Sequence, residues 1–312
     1  MKKIIYVLSF VFISLLILSG CASKKETAKY TIISTSFPGY DFARAITKDS
    51  KDFEVKMLLK PGSEMHSYEP TPQDIINISN ADIFIYVGGD SDNWIEDVLK
   101  DINTDKTKII KLMDLVDVVE EEHVEGMEED KEEEEEVEYD EHVWTSPINA
   151  IAIINKLKEE IIKVDNDNKS LYEDNSNNYT NELSNIDNEI RSLVKNAKRK
   201  EIIFGDRFPI RYFVEEYGLS YYAAFPGCSE QTEASAKTIT FLINKVKKDN
   251  IPVIFHIELS NGNIAKTIAD ETGAKVLEFK TAHNISQDDF DKGITYVDIM
   301  KSNIEVLKEA IN

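Results

Sequence analysis

The stretch Ser146–Phe204, SPINAIAIINKLKEEIIKVDNDNKSLYEDNSNNYTNELSNIDNEIRSLVKNAKRKEIIF, has neither Gly nor Pro after Pro147. Those two residues are the strongest local breaks in a chain, so their absence predicts long helices. Ser146-Pro147 supplies an N-cap and a proline at the first helical position. Ile148, Ile151, Ile154, Leu157 and Ile161 then form an apolar stripe at helical spacing. Asp165–Asp167 interrupts the pattern. A second stripe follows at Tyr172, Tyr179, Leu183, Ile186, Ile190 and Leu193. A helix of about 30 residues is about 45 Å long at 1.5 Å per residue, enough to cross a whole domain. The flanking sequence is therefore expected to form two bodies joined by one rigid helix, closing only slightly around a ligand.

The two flanks have similar patterns. Upstream, β-rich runs lie at 31–34, 54–59, 82–87 and 108–112, with helical patterns starting near Tyr40-Asp41 and Thr71-Pro72. Downstream, the runs are 201–204, 220–224, 252–257 and 275–279, with helices over 233–248 and 264–272, the last stopped by Gly273. Alternation of this kind predicts an α/β fold: two lobes, each a mostly parallel sheet flanked by helices. The expected organisation is a signal peptide over 1–20, a tether over 21–29, a first lobe over 30–164, a linking helix over 165–199 and a second lobe over 200–312.

The N-terminus predicts export. Lys2 and Lys3 precede an apolar run, Ile4 to Leu18, too short for a comfortable membrane span and right for a secretory h-region. Leu18-Ser19-Gly20-Cys21 is similar to the bacterial lipobox, in which Cys21 would be lipidated and anchor the mature chain outside the cell membrane. Of the two cysteines this leaves Cys228 alone, so no intrachain disulfide is expected. The net charge of −22 argues against nucleic acid as a partner. Most of it lies in 117–141, where 16 acidic residues and one Lys sum to −15. Like charges repel and no core can form there, so part of this segment is expected to be a disordered loop. It carries His123 and a run of Glu, and is either merely solvated or a device that concentrates metal. Its carboxylates alone would bind hard cations weakly.

Five histidines are available: His66, His123, His142, His256 and His283. Neutral imidazole is a common zinc ligand, and ligands in α/β lobes collect in loops after strand C-termini. His66 follows a strand in PGSEMHSYEP, His142 precedes a capped helix in DEHVW, and His283 follows the last strand. His256 sits inside an apolar strand and reads as a hydrogen-bonded core histidine. Spacing alone does not show that the three loop histidines converge.

PGSEMHSYEPTPQDI followed by ADIFIYVGG resembles the first ligand segment of the zinc/manganese-type solute-binding lipoproteins of metal ABC importers. DEHVWTSP is similar to their second, usually Asp-Pro-His-x-Trp-x-Asp-Pro. YFVEEYGL and TEASAKTI resemble their C-terminal lobe. The resemblance covers almost the whole mature chain and implies metal held between two lobes joined by a rigid helix. It also implies a membrane permease and an ATPase as partners, a monomeric receptor, and Zn2+ as the cargo, with Mn2+ the alternative. Zinc-type members carry a charged loop where this chain has its acidic segment.

The second lobe departs from the family pattern. The usual third ligand, a His ten residues before the Tyr of Tyr-Gly-Leu, is Arg207 here, which cannot ligate a metal. The usual acidic fourth ligand has Lys280 near its place. His283 is the expected replacement, with Asp206 next, and Glu230, Cys228 and Glu258 as further candidates. An isolated Cys is more often a small buried hydrophobe than a thiolate ligand. The expected metal set is therefore His66, His142, His283 and Asp206. A zinc hydrolase would need an open metal position and a general base, and no HExxH-like element is present, so no enzymatic role is expected. A surface adhesin is the remaining alternative, without any residue that argues for it.

Overall fold

The computed structural model describes residues 28–63, 65, 68–102, 106–128, 138–229, 231 and 233–312. The expected signal peptide and Cys21 lie outside the described residues, as do His66 and Glu230. None of the described helices is long and apolar enough to cross a membrane.

The first lobe is built on β1 (Tyr30–Ser34), β2 (Phe53–Met57), β3 (Ile83–Tyr86) and β4 (Lys108–Lys111). All pairings are parallel, in the order β2-β1-β3-β4. Helices α1 (Phe37–Ile46), α2 (Pro72–Ser79) and α3 (Asn93–Asp101) make the crossovers. β3 is buried along its whole length, as expected of a central strand covered on both faces. The start of α2 is fixed by a capping box between Thr71 and Asp74, with Pro72 at the first helical position.

Next come α4 (Pro147–Val164) and α5 (Lys169–Lys195). Pro147 opens α4, and the Ser146 hydroxyl accepts the Asn149 N–H at 3.4 Å. At the break, the Asp165 carboxylate accepts from Tyr172 Oη at 2.6 Å and from Asn168 Nδ2 at 2.8 Å. The 27 residues of α5 run about 40 Å. Replacing Ser146 by Ala removes the cap of α4 and is expected to cost about 1 kcal/mol, read as a lower urea midpoint with an unchanged slope.

The second lobe repeats the first. It contains β5 (Glu201–Arg207), α6 (Arg211–Tyr217), β6 (Ser220–Phe225), α7 (Ala236–Asp249), β7 (Val253–Ile257), α8 (Asn263–Thr272) and β8 (Lys275–Phe279). Its sheet, also parallel, has the order β6-β5-β7-β8, the permutation seen in the first lobe. α9 (Gln287–Asp291) and α10 (Tyr296–Ile311) complete the chain.

Two features tie the lobes together. One apolar core runs unbroken from Ile32 and Ile85 of the first sheet, through Leu157 and Ile186 of the helical pair, to Phe204 and Phe255 of the second. The acidic segment also crosses to the second lobe. Its described residues, 117–128 and 138–141, are hydrogen-bonded to each other and to the second lobe. Glu121 N–H donates to the Glu138 carbonyl at 3.0 Å, Asp140 N–H to the Val119 carbonyl at 3.0 Å, and Glu128 N–H to the Ala224 carbonyl at 3.0 Å. Glu122 pairs with Arg211 at 3.3 Å, and the Glu121 and Glu128 carboxylates accept the N–H groups of Cys228 and Ser235. Donors of the second lobe thus offset the repulsion that a count of charges emphasises.

Candidate metal centre

The crossing segment ends at His142, which starts a single helical turn, Val143–Thr145, leading into α4. Asp140 sets its orientation. One Asp140 oxygen accepts the His142 N–H at 2.8 Å and lies 3.1 Å from ring Nδ1. A carboxylate on Nδ1 is the arrangement that fixes a ligating histidine's tautomer and directs Nε2 to the metal. His142 and Glu141 are fully buried. Burial alone would lower the pKa of the His142 imidazolium, but Asp140 beside it, with Glu141 and Glu121, holds it above the ordinary value.

His283 comes from the turn after β8, in the second lobe. Asn284 Nδ2 donates to the carbonyls of Lys60 at 3.0 Å and Ser63 at 2.6 Å, and Gly62 N–H donates to the Ile285 carbonyl at 2.7 Å. These bonds dock residues 60–63 of the first lobe onto that turn. His283 Nε2 lies 2.8 Å from the Met65 sulfur. The His142 and His283 rings stand edge to face with centroids 5.0 Å apart, and Trp144 packs on His283 at 5.1 Å.

Among the described residues, one group of metal-ligating side chains converges: Glu141, His142 and His283, whose ligand atoms all lie within 4.8 Å of one another. The Glu141 carboxylate accepts the Ser91 N–H at 3.2 Å and the Ser91 hydroxyl. Burial raises the pKa of its carboxyl, against the pull of His142 and the Ser91 bonds. His142 and His283 line an interlobe cleft together with Met65, Arg207, Glu258 and Thr281, and with the neighbouring Glu141 carboxylate they form a donor set suited to zinc.

The other candidates fall elsewhere. Asp206 is not in the converging group. Its carboxylate accepts the N–H groups of Arg207 at 2.9 Å and Ile257 at 3.3 Å, and the Ser260 hydroxyl. Glu258 lines the cleft, but both its oxygens accept from Thr281. Cys228 is half-buried and outside the converging group; burial and the nearby Glu141, Glu121 and Asp140 carboxylates push its thiol well up. His123 is exposed and outside the group. His256 is half-buried in β7, with Nδ1 3.0 Å from the Ile257 carbonyl. Lys280 is paired with Asp289 at 2.8 Å, and the Arg207 guanidinium reaches the Ser229 carbonyl at 3.5 Å. Glu141 is the residue that the sequence argument missed. It stands where the similar motifs have Pro, and its place beside His142 is the signal the sequence offers.

The model of the family described as zinc-uptake complex component A, periplasmic, matches residues 32–310. The high-affinity zinc uptake system protein ZnuA of Bacillus subtilis is 34% identical over 293 residues, covering 94% of this chain and 90% of that protein. The zinc-binding lipoprotein AdcA of Streptococcus pneumoniae is 29% identical over 311 residues, covering 99% of this chain but 61% of that longer protein. Among solved structures, the metal-dependent lipoprotein YcdH of Bacillus subtilis superposes with a TM-score of 0.77 at 32% identity, covering 91% of this chain and all of that one. The Zn(II)-bound ZnuA-like domain of Streptococcus pneumoniae AdcA superposes with a TM-score of 0.74 at 26% identity, over 91% and 99% of the two chains.

Proposed function

The chain belongs to the zinc-uptake complex component A family, and from that premise we propose that it is the extracytoplasmic receptor of a zinc ABC importer. It captures Zn2+ between its lobes and delivers it to a membrane permease driven by an ATPase. It has no catalytic step of its own, works as a monomer and is held at the membrane by lipidated Cys21. The observation that carries this reading is the meeting of His142 from the first lobe with His283 from the second, beside Glu141. His66, placed by its motif, would add a third imidazole. Asp206, Glu230, Cys228 and Glu258 are then not needed to complete a tetrahedral shell.

Mn2+ is the alternative cargo. A shell of two or three imidazoles favours zinc, because manganese is better served by carboxylate and water oxygens and stands lower in the affinity order of divalent metals. Competition titration of the mature protein is expected to give one tight zinc site and much weaker manganese binding. Equal or tighter binding of manganese would overturn the choice of metal.

Zinc affinity is also expected to fall as the medium becomes acidic. His142 ligates only as neutral imidazole, and its raised pKa means that protons compete from above the ordinary histidine value near 6.5. In the metal-free protein the sign is opposite. The stabilisation from protonated His142 is full below its unfolded pKa and lost as pH rises through the higher folded one. Titrations between about pH 8 and pH 6 should show this loss of affinity. His142→Ala should flatten its steepest part.

A further inference from the structure

The turn that presents His283 is held by residues outside the converging group. Thr281 is at its centre. Its N–H and its hydroxyl each donate to a different oxygen of Glu258, both at 2.7 Å. The same hydroxyl oxygen accepts the His283 N–H at 3.3 Å. From the first lobe, Trp144 Nε1 donates to the Thr281 carbonyl at 2.9 Å. The residue between, Ala282, is fully buried with φ of +61°. L-residues other than glycine adopt that left-handed backbone at a cost, and it persists only where the surroundings over-determine it.

We propose that Thr281, clamped by Glu258 and latched by Trp144, is the positioning element that presents His283 to the metal, and that Glu258 governs metal retention without touching the metal. This rests on the reading of His283 as a zinc ligand. Glu258 lines the cleft but is not in the converging group of ligand atoms, and each of its oxygens accepts from a donor of Thr281. Trp144 gives the clamp its interlobe character. Its ring packs on His283 while its N–H fixes the turn that carries His283, and it lies two residues beyond His142. The two imidazoles from different lobes are therefore held in register by a contact that involves neither metal nor ligand atom. Separating the lobes at Trp144 would release the turn and let His283 leave the shell, which is what handing over a tightly held ion requires.

The test uses the full mature chain, with zinc affinity measured by competition with a chromogenic chelator and dissociation by chelator chase. Thr281→Val keeps the shape and removes the hydroxyl. It is expected to weaken zinc binding by about ten- to hundredfold, the range for residues that orient a ligand, chiefly through faster dissociation. The metal-free protein should lose some stability, because a Glu258 oxygen loses its donor, so unfolding is measured alongside and the affinity change is compared at full folding. Thr281→Ser should restore affinity to near that of the parent, which a purely steric effect would not. Glu258→Gln should weaken binding in the same direction, while X-ray absorption at the zinc edge shows an unchanged shell at saturation. Trp144→Phe, which keeps a ring but loses the N–H, should speed dissociation. Parental affinity and dissociation rate in Thr281→Val overturn the proposal, as does loss of an oxygen ligand in Glu258→Gln, which would make Glu258 a ligand. If Thr281→Val does not fold, Glu258→Gln and Trp144→Phe decide. His283→Ala separates the two levels: unchanged affinity there defeats the metal site itself, whereas a weakened His283→Ala beside an intact Thr281→Val defeats the clamp alone.

Discussion

Replacing His142 and His283 together by Ala is expected to lower zinc affinity by about four orders of magnitude. Structural zinc sites bind with about 10–16 kcal/mol spread over four ligands, so each ligand carries roughly 3 kcal/mol and two carry roughly 6 kcal/mol, or about 10^4 in Kd. Each single substitution should cost about half of that free energy, because His142 comes from the first lobe and His283 from the second, and losing either leaves the metal bound on one side only. The fold should tolerate the changes unequally. His283 stands on a turn and is half-buried, so its truncation costs little packing. His142 is fully buried against Trp144, so the metal-free unfolding midpoint must be measured alongside. A double variant that still competes with a strong chelator as the parent does would show that the ion is held elsewhere.

The architecture is legible in the sequence because the relevant signals are local. The eight strands among the described residues are legible as short β-rich runs, for example 275–279 and 220–224, observed as Lys275–Phe279 and Ser220–Phe225. Gly273 did end α8, with φ of +76°. The linking helix was visible because nothing between Ile148 and Phe204 could break it, although the observed α5 is shorter than the expected 165–199 and is braced along its length by α4. What was not legible depends on contacts between distant residues. Nothing in the spacing of His142 and His283 says that they meet. Nothing in Asp206 says that its oxygens are taken by Ser260 and two backbone N–H groups. The same holds for the partners of the acidic segment: Arg211 and the N–H groups of Cys228 and Ser235 receive its carboxylates, and these lie some hundred positions later in the chain.

Two cations stand near the cleft side of the second lobe, at the places where the resemblance leads one to expect ligands. Lys280 would repel an incoming ion, but it is neutralised by Asp289 on α9, nine residues on, where it holds the start of the C-terminal helices. Arg207 keeps its backbone N–H on Asp206 and sends its guanidinium toward the carbonyl of Ser229. Both charges are thus drawn to oxygens of the second lobe. Among the described residues, the converging donors, His283 and the Glu141–His142 pair, come from the turn after β8 and from the crossing segment.

Asp41→Ala is expected to destabilise the protein by about 3–5 kcal/mol. Asp41 is 1% exposed, and its carboxylate joins three elements. It accepts from Arg44 Nη2 at 2.6 Å within α1, from the hydroxyl of Tyr179 on α5, and from the N–H of Tyr296 at 3.0 Å, the first residue of α10. Arg44 is 35% exposed, so that contact is screened by solvent and contributes little. The other two dominate. Each is a buried hydrogen bond to a charged acceptor, of about 1.5–3 kcal/mol, and the one at Tyr296 also places negative charge at a helix N-terminus. Removing the carboxylate leaves both donors buried without it, which is the costly way to break such a network. Asp41→Asn keeps one acceptor and should lose less. The effect reaches the metal centre through one further bond, because the Tyr296 hydroxyl donates to the Trp144 carbonyl at 2.6 Å. Asp41→Ala should therefore weaken zinc binding about tenfold, as for other groups that act through a ligand's support, although Asp41 belongs to none of the metal's own ligands. Chemical denaturation of the metal-free protein checks the stability, and a loss below about 1 kcal/mol, the level of an exposed ion pair, would mean that α5 and the core alone hold the lobes in place.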